Sequence, residues 1–260
     1  MAGGTRMPAC DEWVAPASWT RIEFISDLHL APQTPRTVAV WETYFRTTRA
    51  DAVVILGDLF EAWVGDDSRH LEFEAHCVDV LATASGTKCL AFMAGNRDFL
   101  IGAAMLSACG MQRLADPTVL LAFGQRYLLT HGDALCLADT EYQEFRLRVR
   151  DRAWQRDVLA RPLEERRALA RQLRVGSMER QLERAGGAEI DIDTPTALAW
   201  LRHAESQTMI HGHTHRPGSN LLAPGHVRHV LSDWSFDHGE AGRADLLRLD
   251  ASGLQRHPLA

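Results

Sequence analysis

Five short polar motifs in the chain contain the residue types that bind divalent metal ions. They are Ser26-Asp-Leu-His29, Gly57-Asp58, Gly95-Asn-Arg-Asp98, His131-Gly-Asp133 and His211-Gly-His-Thr-His215. Carboxylate and amide oxygens mixed with imidazole nitrogens suit first-row divalent cations such as Mn²⁺. Two such cations held about 3.5–4 Å apart can activate water and clamp the attacking and leaving oxygens of a phosphate ester. The motifs therefore predict metal-assisted cleavage of a phosphorus–oxygen bond.

Each motif also has a simpler explanation when it is taken alone. Asp27-Leu-His29 fits a turn with an incidental histidine, Gly57-Asp58 fits an ordinary turn, and Asp98 fits the N-cap of a following helix. The alternating histidines of residues 211–215 are harder to explain by packing, because imidazole is a frequent metal ligand. The joint occurrence of the five motifs favours metal binding over ordinary turns, because Asp, Asn or His recurs in all five. A single site built from five loops is the interpretation that accounts for all of them.

Short apolar runs rich in β-forming residues lie immediately before these motifs. We predict strands over residues 21–26, 52–56, 88–93, 119–123, 127–130, 208–210 and 227–231. Apolar residues at helical spacing predict helices over residues 37–49 and 71–84, and Phe123-Gly-Gln-Arg-Tyr127 predicts a hairpin turn. This order predicts an α/β sandwich of mixed β-sheets flanked by helices. The motifs are then expected to meet outside the carboxyl ends of the strands.

Residues 140–207 depart from this alternating pattern. They contain no strand pattern and are dense in Arg, Leu, Ala, Glu and Gln. We therefore predict a helical cap over residues 140–207, inserted into a catalytic domain formed by residues 21–139 and 208–260. Residues 1–20 lack the continuous apolar stretch of a secretory signal, so we predict a flexible N-terminal tail and a cytoplasmic location.

The predicted cap combines positive charge with apolar residues. Between residues 140 and 185 there are twelve arginines and eight acidic residues, although the whole chain has a net charge of −6. This local excess predicts an anionic ligand at the cap. The apolar residues either line a groove for acyl chains or only pack the helices onto the core. They are Leu147, Val149, Trp154, Val158, Leu159, Leu163, Leu169 and Leu173.

Composition argues against several other classes of protein. The acidic net charge disfavours nucleic acid as a partner, because nucleic-acid-binding proteins usually carry a basic excess. The longest apolar runs are too short for a membrane span. The five cysteines are an odd number without CxxC spacing, which indicates buried thiols rather than a disulfide framework or zinc knuckle. Nothing in the sequence predicts an obligate protein partner.

The order of the motifs, DxH, GD, GNxD, HGD and GHTH, resembles the calcineurin-like metallophosphoesterase superfamily over nearly all of the chain outside the tail. Longer strings are similar to its UDP-2,3-diacylglucosamine hydrolases. These strings are Asp27-Leu-His-Leu30, Leu56-Gly-Asp-Leu-Phe-Glu-Ala-Trp-Val-Gly-Asp-Asp67, Gly95-Asn-Arg-Asp-Phe-Leu100 and Ile210-His-Gly-His-Thr-His-Arg-Pro217. The Phe60, Trp63 and Asp66-Asp67 positions make the match specific, because they are not needed to hold metal.

The resemblance implies a reaction, a cofactor and a location. The reaction is hydrolysis of the diphosphate bond of UDP-2,3-diacylglucosamine to UMP and 2,3-diacylglucosamine 1-phosphate, in lipid A biosynthesis, by water activated by two divalent cations, Mn²⁺ by preference. The expected location is peripheral, on the cytoplasmic face of the inner membrane. Two alternatives stay open: a related pyrophosphatase or phosphodiesterase acting on a nucleotide, and a non-catalytic binding module. The second is disfavoured because all the expected ligands are present.

The resemblance also implies roles for individual residues. Asp27, His29 and His215 are expected to hold one metal, Asn96, His131 and His213 the other, and Asp58 is expected to bridge them. The residues expected in catalysis are Asp58, Asn96, Arg97 and His131. Substrate contacts are expected from Asn96, Arg97, Asp139, Ser177, Gln181, Arg184 and His213. Gln181 and Arg184 stand where an Asn and a Lys are common, which leaves the details of these contacts open.

Arg97 gives an argument that does not depend on the family. Many members of the superfamily have a histidine at this position, where it can protonate a poor alkoxide leaving group. A phosphomonoester leaving group, with a second pKa of about 6, does not need that acid. A fixed guanidinium can instead neutralise charge as it develops, which favours cleavage of a pyrophosphate bond. The simpler alternative is a surface arginine paired with Asp98.

Overall fold

The computed structural model describes residues 7–183, 190–239 and 242–259, without side-chain detail for residues 177–183. Two six-stranded mixed sheets pack face to face. The strands are β1 (Asp11–Val14), β2 (Ile22–Ile25), β3 (Ala52–Leu56), β4 (Cys89–Met93), β5 (Met111–Leu114), β6 (Thr118–Ala122), β7 (Gln125–Leu129), β8 (Thr208–His211), β9 (Gly218–Ala223), β10 (His226–Val230), β11 (Asp245–Asp250) and β12 (Gly253–Pro258). The first sheet has the order β1-β6-β7-β8-β10-β9, and the second has the order β12-β11-β2-β3-β4-β5.

Seven α-helices lie in the part of the chain that the structure describes. They are α1 (Pro35–Thr47), α2 (Glu72–Ser85), α3 (Ala103–Ala108), α4 (Thr140–Arg150), α5 (Arg152–Leu159), α6 (Leu163–Glu183) and α7 (Thr194–His203). Asp139, Asp151 and Asp193 cap the first turns of α4, α5 and α7, because each carboxylate accepts a hydrogen bond from a backbone N–H three residues later. These caps fix where three of the helices begin.

The strand β3 shows why the central strands are continuous apolar runs. Ala52, Val54 and Leu56 face the other sheet and join the core between the two sheets. Val53 and Ile55 point the other way, into the core beneath the outer helices. Since both faces of this strand are buried, no position can be polar.

The helices cover the outer faces of both sheets. Trp41 of α1 and Leu81 of α2 are fully buried against the second sheet. Trp200 and Leu201 of α7 are buried against the outer face of the first sheet, beside Met209. The result is a four-layer sandwich of helices, sheet, sheet and helices, which confirms the predicted fold class.

The predicted flexible tail was wrong for the residues that the structure describes; residues 1–6 lie outside them. The strand β1 pairs in parallel with β6, from Asp11 beside Thr118 to Val14 beside Leu121. Trp13 and Trp19 also make an edge-to-face contact with their ring centroids 5.7 Å apart. This strand was missed because its four residues are mostly exposed and depend on a distant partner strand.

Within the segment predicted as a cap, the described elements are the four helices α4 to α7, and the other described residues form short turns and irregular stretches. The helices α4, α5 and α6 lie at the side of the sandwich near the strand ends, whereas α7 belongs to the outer layer of the first sheet. The boundaries of a separate cap stay a prediction. None of the helices in the described ranges combines the length and apolarity needed to cross a membrane.

Candidate active site

The seven predicted metal ligands follow five strands and lie at one end of the sandwich. Asp27, His29, Asp58 and Asn96 come after β2, β3 and β4, which are parallel neighbours in the second sheet. His131, His213 and His215 come after β7 and β8, which are parallel neighbours in the first sheet. Parallel strands place their carboxyl ends at the same edge. The candidate site therefore lies across the seam between the two sheets.

Most of these residues have a left-handed backbone. Among the described residues, seven non-glycine residues have a positive φ angle, and five of them are predicted ligands. The five are Asp27 (54°), His29 (49°), Asp58 (55°), His213 (65°) and His215 (52°). Such residues are sparse in proteins and persist where surrounding structure holds them for a purpose. The loops are bent sharply so that the side chains point inward.

The first group of side chains contains Asp27, His29 and His215. The Nε2 atoms of His29 and His215 are 3.2 Å apart, and His215 Nε2 is 3.3 Å from Asp27 Oδ1. One ligand atom from each of the three residues lies within 4.8 Å of the other two. This spacing suits a single cation bound by all three.

The second group contains Asn96, His131 and His213. The amide oxygen of Asn96 lies 2.9 Å from His131 Nε2 and 2.8 Å from His213 Nδ1. Asp58 stands between the two groups: Oδ1 is 3.8 Å from His131 Nε2, and Oδ2 is 3.9 Å from His29 Nε2. The structure thus brings all seven predicted ligands to one end of the sandwich, with one carboxylate facing both groups. A second candidate cluster, formed by Asp27, Asp58 and His131, overlaps both groups, so the division of the ligands between two metal ions stays a prediction.

The hydrogen bonding of His131 supports a metal at this position. Its Nδ1 donates to the backbone carbonyl of Leu56 at 2.8 Å, which directs Nε2 at the amide oxygen of Asn96, 2.9 Å away. Burial opposes charge on this ring, but Asp58 and other nearby carboxylates outweigh it and raise its pKa to about 9. The negative surroundings that favour a proton on Nε2 also favour a divalent cation in place of that proton. The donor set therefore fits two metal ions, although the ligand roles stay predictions.

Three glycines in the motifs are required by close packing around the site. A Cβ on Gly95 would lie 2.1 Å from Asp58 Oδ1, and one on Gly212 would lie 2.3 Å from Asp27 Oδ2. A Cβ on Gly57, which has a φ of 89°, would lie 2.4 Å from His131 Nδ1. The backbone approaches the ligands so closely that no side chain fits.

Asp98 holds two of the ligand loops together instead of capping a helix. It is fully buried, and its two oxygens accept hydrogen bonds at 2.7 Å from the backbone N–H groups of Gly95 and Leu59. Burial and the neighbouring carboxylate of Asp58 raise its pKa to about 6. The loops after β3 and β4 are therefore joined through one carboxyl group.

Arg97 does not pair with Asp98, so the surface-arginine alternative was wrong. Its Nη1 donates to Glu61 Oε1 at 3.3 Å, and its Nε lies 4.0 Å from Asp58 Oδ2. Glu61 also pairs with Arg174 of α6, and its Oε2 lies 3.4 Å from His29 Nδ1. Glu61 therefore connects a predicted ligand, Arg97 and the cap.

A cleft of about 1100 Å³ opens beside Asn96 and Arg97. Its walls come from the loops of the second sheet, from the start of α2, and from α4, α5 and α6. The apolar lining includes Leu30, Phe60, Trp63, Leu71, Phe73, Phe99, Leu100, Trp154, Val158, Leu169 and Leu173, and the basic lining includes Arg166, Arg167, Arg171 and Arg174. Of the cap residues considered for an acyl groove, Trp154, Val158, Leu169 and Leu173 line this cleft, while Val149 is buried and Leu147 and Leu159 are exposed.

The other residues expected to contact substrate either do not line the cleft or lack side-chain detail. Asp139 caps α4 by accepting a hydrogen bond from the Tyr142 backbone N–H at 3.2 Å, and it does not line the cleft. Ser177 and Gln181 belong to α6, where the structure gives no side-chain detail. Arg184 lies outside the described residues. The substrate contacts of these four residues stay predictions.

Several residues near the site were not assigned a role from the sequence. Glu61 lies in the string that begins at Leu56, and Asp133 completes the His131-Gly-Asp motif. The signal that could have identified the partners of Asp133 is the four-residue spacing of Tyr142, Arg146 and Arg150 along α4, because it places them on one face. No such local signal marks the partners of Glu61. The Asp67 of the same string is also explained, since it forms two hydrogen bonds with the buried Arg166 of α6.

Comparisons with known proteins agree with this geometry. A model of the calcineurin-like phosphoesterase family matches residues 20–217. UDP-2,3-diacylglucosamine hydrolase of Xanthomonas campestris pv. campestris strain B100 is 42% identical over 249 residues, which cover 91% of this chain and 98% of that protein. The proteins of the same name from Xanthomonas oryzae pv. oryzae strain PXO99A and Chromobacterium violaceum are 40% and 44% identical, over 91% and 92% of this chain and 98% of each relative. Because the family model and the relatives match most of its length, the chain belongs to the calcineurin-like phosphoesterase family.

Proposed function

We propose that the chain hydrolyses the diphosphate bond of UDP-2,3-diacylglucosamine, giving UMP and 2,3-diacylglucosamine 1-phosphate in lipid A biosynthesis. The observation that carries the proposal is the cleft of about 1100 Å³, which joins an apolar wall to the candidate metal centre. A diacylated sugar nucleotide needs both parts, because its lipid and its diphosphate bind at adjacent places. The names of the three relatives, which match over nearly their whole lengths, support the same substrate.

Two divalent cations would be held by the seven ligands, with Asp58 shared between them. The mixture of carboxylate, amide and imidazole ligands suits Mn²⁺. When bound, the cations supply an activated water and stabilise charge on the oxygens of the cleaved bond. His131 is kept in one tautomer by the carbonyl of Leu56, which aims its Nε2 into the site.

Arg97 would neutralise the negative charge that develops on the leaving phosphate. Its guanidinium is half-enclosed between Glu61 and Asp58, so its position is fixed before substrate arrives. A fixed donor needs no reorganisation during the reaction and therefore stabilises the transition state more than the ground state. Arg174 of α6 shares Glu61 with Arg97 and brings a second cation to the same place.

The acyl chains would lie along the apolar wall of the cleft. Phe99 and Trp154 face each other there with ring centroids 6.2 Å apart, one from the catalytic domain and one from α5. Each buried methylene contributes about 0.8 kcal/mol, so several methylenes give binding that a water-soluble nucleotide cannot obtain. This argument favours a lipid substrate over a dinucleotide polyphosphate.

The cap surface would contact the inner membrane from its cytoplasmic side. Leu147, Leu159 and Val175 are large apolar residues that remain 73%, 42% and 54% exposed. They lie among exposed arginines of α4, α5 and α6, and such a mixture suits an anionic lipid surface. A lipid substrate could then pass from the bilayer into the cleft.

The proposed function is tested by incubating the purified chain with UDP-2,3-diacylglucosamine and Mn²⁺ and measuring UMP. We expect UMP to form with Mn²⁺ and its formation to stop when a chelator is added. Diadenosine tetraphosphate and a short nucleic acid serve as competing substrates. Cleavage of either at equal or higher kcat/KM, with little UMP from the lipid, would favour the nucleotide alternative.

A further inference from the structure

Three side chains on one face of α4 contact a single buried carboxylate. Tyr142, Arg146 and Arg150 follow each other at intervals of four residues, which places them on one side of the helix. All three face Oδ2 of Asp133. The Tyr142 hydroxyl donates to it at 2.6 Å, Arg146 Nε donates at 2.9 Å, and Arg150 Nη2 lies 3.8 Å away. Asp133 is fully buried and lies two residues after the predicted ligand His131.

The arginines of α4 also compensate the negative charge of a second buried carboxylate. Asp116 is buried beside Asp133, and its Oδ2 lies 4.0 Å from Arg146 Nη2. Burial alone would raise the pKa of Asp133, but Arg146 and Arg150 outweigh it and lower the pKa. The helix therefore supplies the positive charge that the His131 loop needs in order to be buried.

Arg150 also contacts the loop that carries Asn96. Its Nη2 donates to the backbone carbonyls of Ala94 at 3.3 Å and Gly95 at 2.9 Å, the two residues immediately before Asn96. Its guanidinium lies over the Phe99 ring, 5.7 Å from the centroid. One arginine of the cap thus contacts the backbone before Asn96 and the side chain of Asp133, two residues after His131, so it lies beside both partners of the contact between Asn96 and His131.

The peptide held by Arg150 has little freedom to move elsewhere. Gly95 lies so close to Asp58 that a Cβ there would be 2.1 Å from Oδ1 and 2.4 Å from the backbone nitrogen. A shift of this peptide therefore either pushes on Asp58 or carries the amide of Asn96 away from His131 and His213. Arg150 itself does not line the cleft, so it has no direct path to substrate.

We propose that Arg150 is a positioning residue for the half of the metal centre formed by Asn96, His131 and His213. Without its two carbonyl contacts, the Asn96 loop loses its alignment with the two histidines. The half formed by Asp27, His29 and His215 makes no hydrogen bond or ion pair with α4 among the described residues, so we expect it to keep its geometry. This inference rests on the proposed function for the presence of two cations, and it assigns α4 to the metal centre as well as to the cap.

The test measures Mn²⁺ binding to the full-length chain without substrate, by electron paramagnetic resonance of free Mn²⁺ and by calorimetry. The variants are Arg150→Ala, Arg150→Lys and the control Arg148→Ala, whose exposed guanidinium reaches only the Phe145 ring of the same helix. We expect two ions per chain in the wild type and the control. In Arg150→Ala, one ion should bind as in the wild type and the other roughly 10–100-fold more weakly, the loss typical of an outer-shell partner. Arg150→Lys should recover part of the affinity, because a lysine can donate to one carbonyl.

The outcomes separate a positioning role from a merely structural one. Unchanged affinity for both ions in Arg150→Ala, or equal weakening of both, would overturn the inference. If Arg150→Ala does not fold, Arg150→Lys decides by the same criterion of weakening confined to one ion. A wild-type chain that binds no Mn²⁺ would instead reject the two-cation site on which the proposed function depends, and the inference with it.

Discussion

Asp58 is the residue on which both halves of the candidate metal centre depend. Its oxygens face His131 on one side and His29 on the other, so no single neighbour could replace it. We expect Asp58→Ala to lower kcat by at least about 10²-fold, the scale of loss when one group that stabilises the transition state is removed. The measurement is UMP formation at saturating Mn²⁺. The control is Asp79→Ala on the exposed side of α2, which should keep wild-type activity; a kcat for Asp58→Ala near that of the control would contradict the bridging role.

Loss of the Arg97 guanidinium should reduce the rate of cleavage most when the leaving group is a phosphate. We expect Arg97→Ala to reduce cleavage of the diphosphate substrate by roughly 10²–10³-fold, because a fixed donor to the developing charge is lost. Cleavage of an aryl phosphodiester should fall much less, since its phenolate spreads charge without help. The measurement compares kcat/KM for the two substrates, with the exposed Arg46→Ala as control. Equal losses on both substrates would show that Arg97 only supports the loop.

The candidate ligands could be predicted from the sequence, and the residues that orient them could not. A metal site restricts residue types at strand ends, so Asp58, His131 and the other candidate ligands stand out by type and order. Glu61 and Arg150 act through contacts with distant residues, and Arg150 lies 56 positions from its partner Ala94. No local spacing predicts that approach. The role of Asp98 was missed for the same reason, since its partner Leu59 belongs to another loop.

At the scale of elements, α4 and the pair α5–α6 should prove separable. We expect replacement of residues 152–189 by a short Gly/Ser linker to leave metal-dependent cleavage of a small aryl phosphodiester. Turnover of the diacylated substrate should fall by orders of magnitude, because Trp154, Val158 and Leu169 leave the cleft. Circular dichroism and Mn²⁺ binding check that the shortened chain folds. Near-normal turnover of the lipid by a folded, metal-bound protein would contradict a substrate-selecting cap.

Replacing the whole predicted cap, residues 140–207, would not test substrate selection alone. Removing α4 would strip Asp133 of Tyr142, Arg146 and Arg150, and removing α7 would expose the surface under Trp200. A buried carboxylate left without partners is strongly destabilising. The segment from 140 to 207 therefore contains helices with different roles, although its composition is uniform.

Most interior strands were predicted well, and the edge strands were not. The bounds of β3 match the prediction at both ends, because five apolar residues in succession have few alternatives. The edge strands β1, β5, β9 and β12 were missed, and so was β11, which lies between β12 and β2. In β12 the residues Gln255, Arg256 and His257 give no apolar run, and the strand forms because its backbone pairs with β11. Such pairing is set by tertiary structure rather than by composition.

At the scale of the whole molecule, metal binding should stabilise the fold. Any ligand that binds only the native state adds about 2.7 kcal/mol at a concentration 100 times its Kd. For a chain of this size, that corresponds to a rise in Tm of about 5–10 °C. We expect this rise when Mn²⁺ is added to chelator-treated protein, measured by calorimetry. Asp58→Ala should show a much smaller rise, and an identical rise in both proteins would mean that Mn²⁺ binds elsewhere.

Because the candidate ligands lie on the seam, a bound pair of metal ions would link the two sheets. Asp27 and Asn96 extend from the second sheet, and His131 and His213 extend from the first, so the bound cations would resist sliding of one sheet over the other. Amide hydrogens at the ends of β2 and β7 should therefore exchange together, slowly with Mn²⁺ and faster without it. The candidate ligands also span the chain from residue 27 to residue 215, so the site would be complete only after β8 and the loop that follows it have docked. Metal binding would then distinguish finished molecules from partly folded ones.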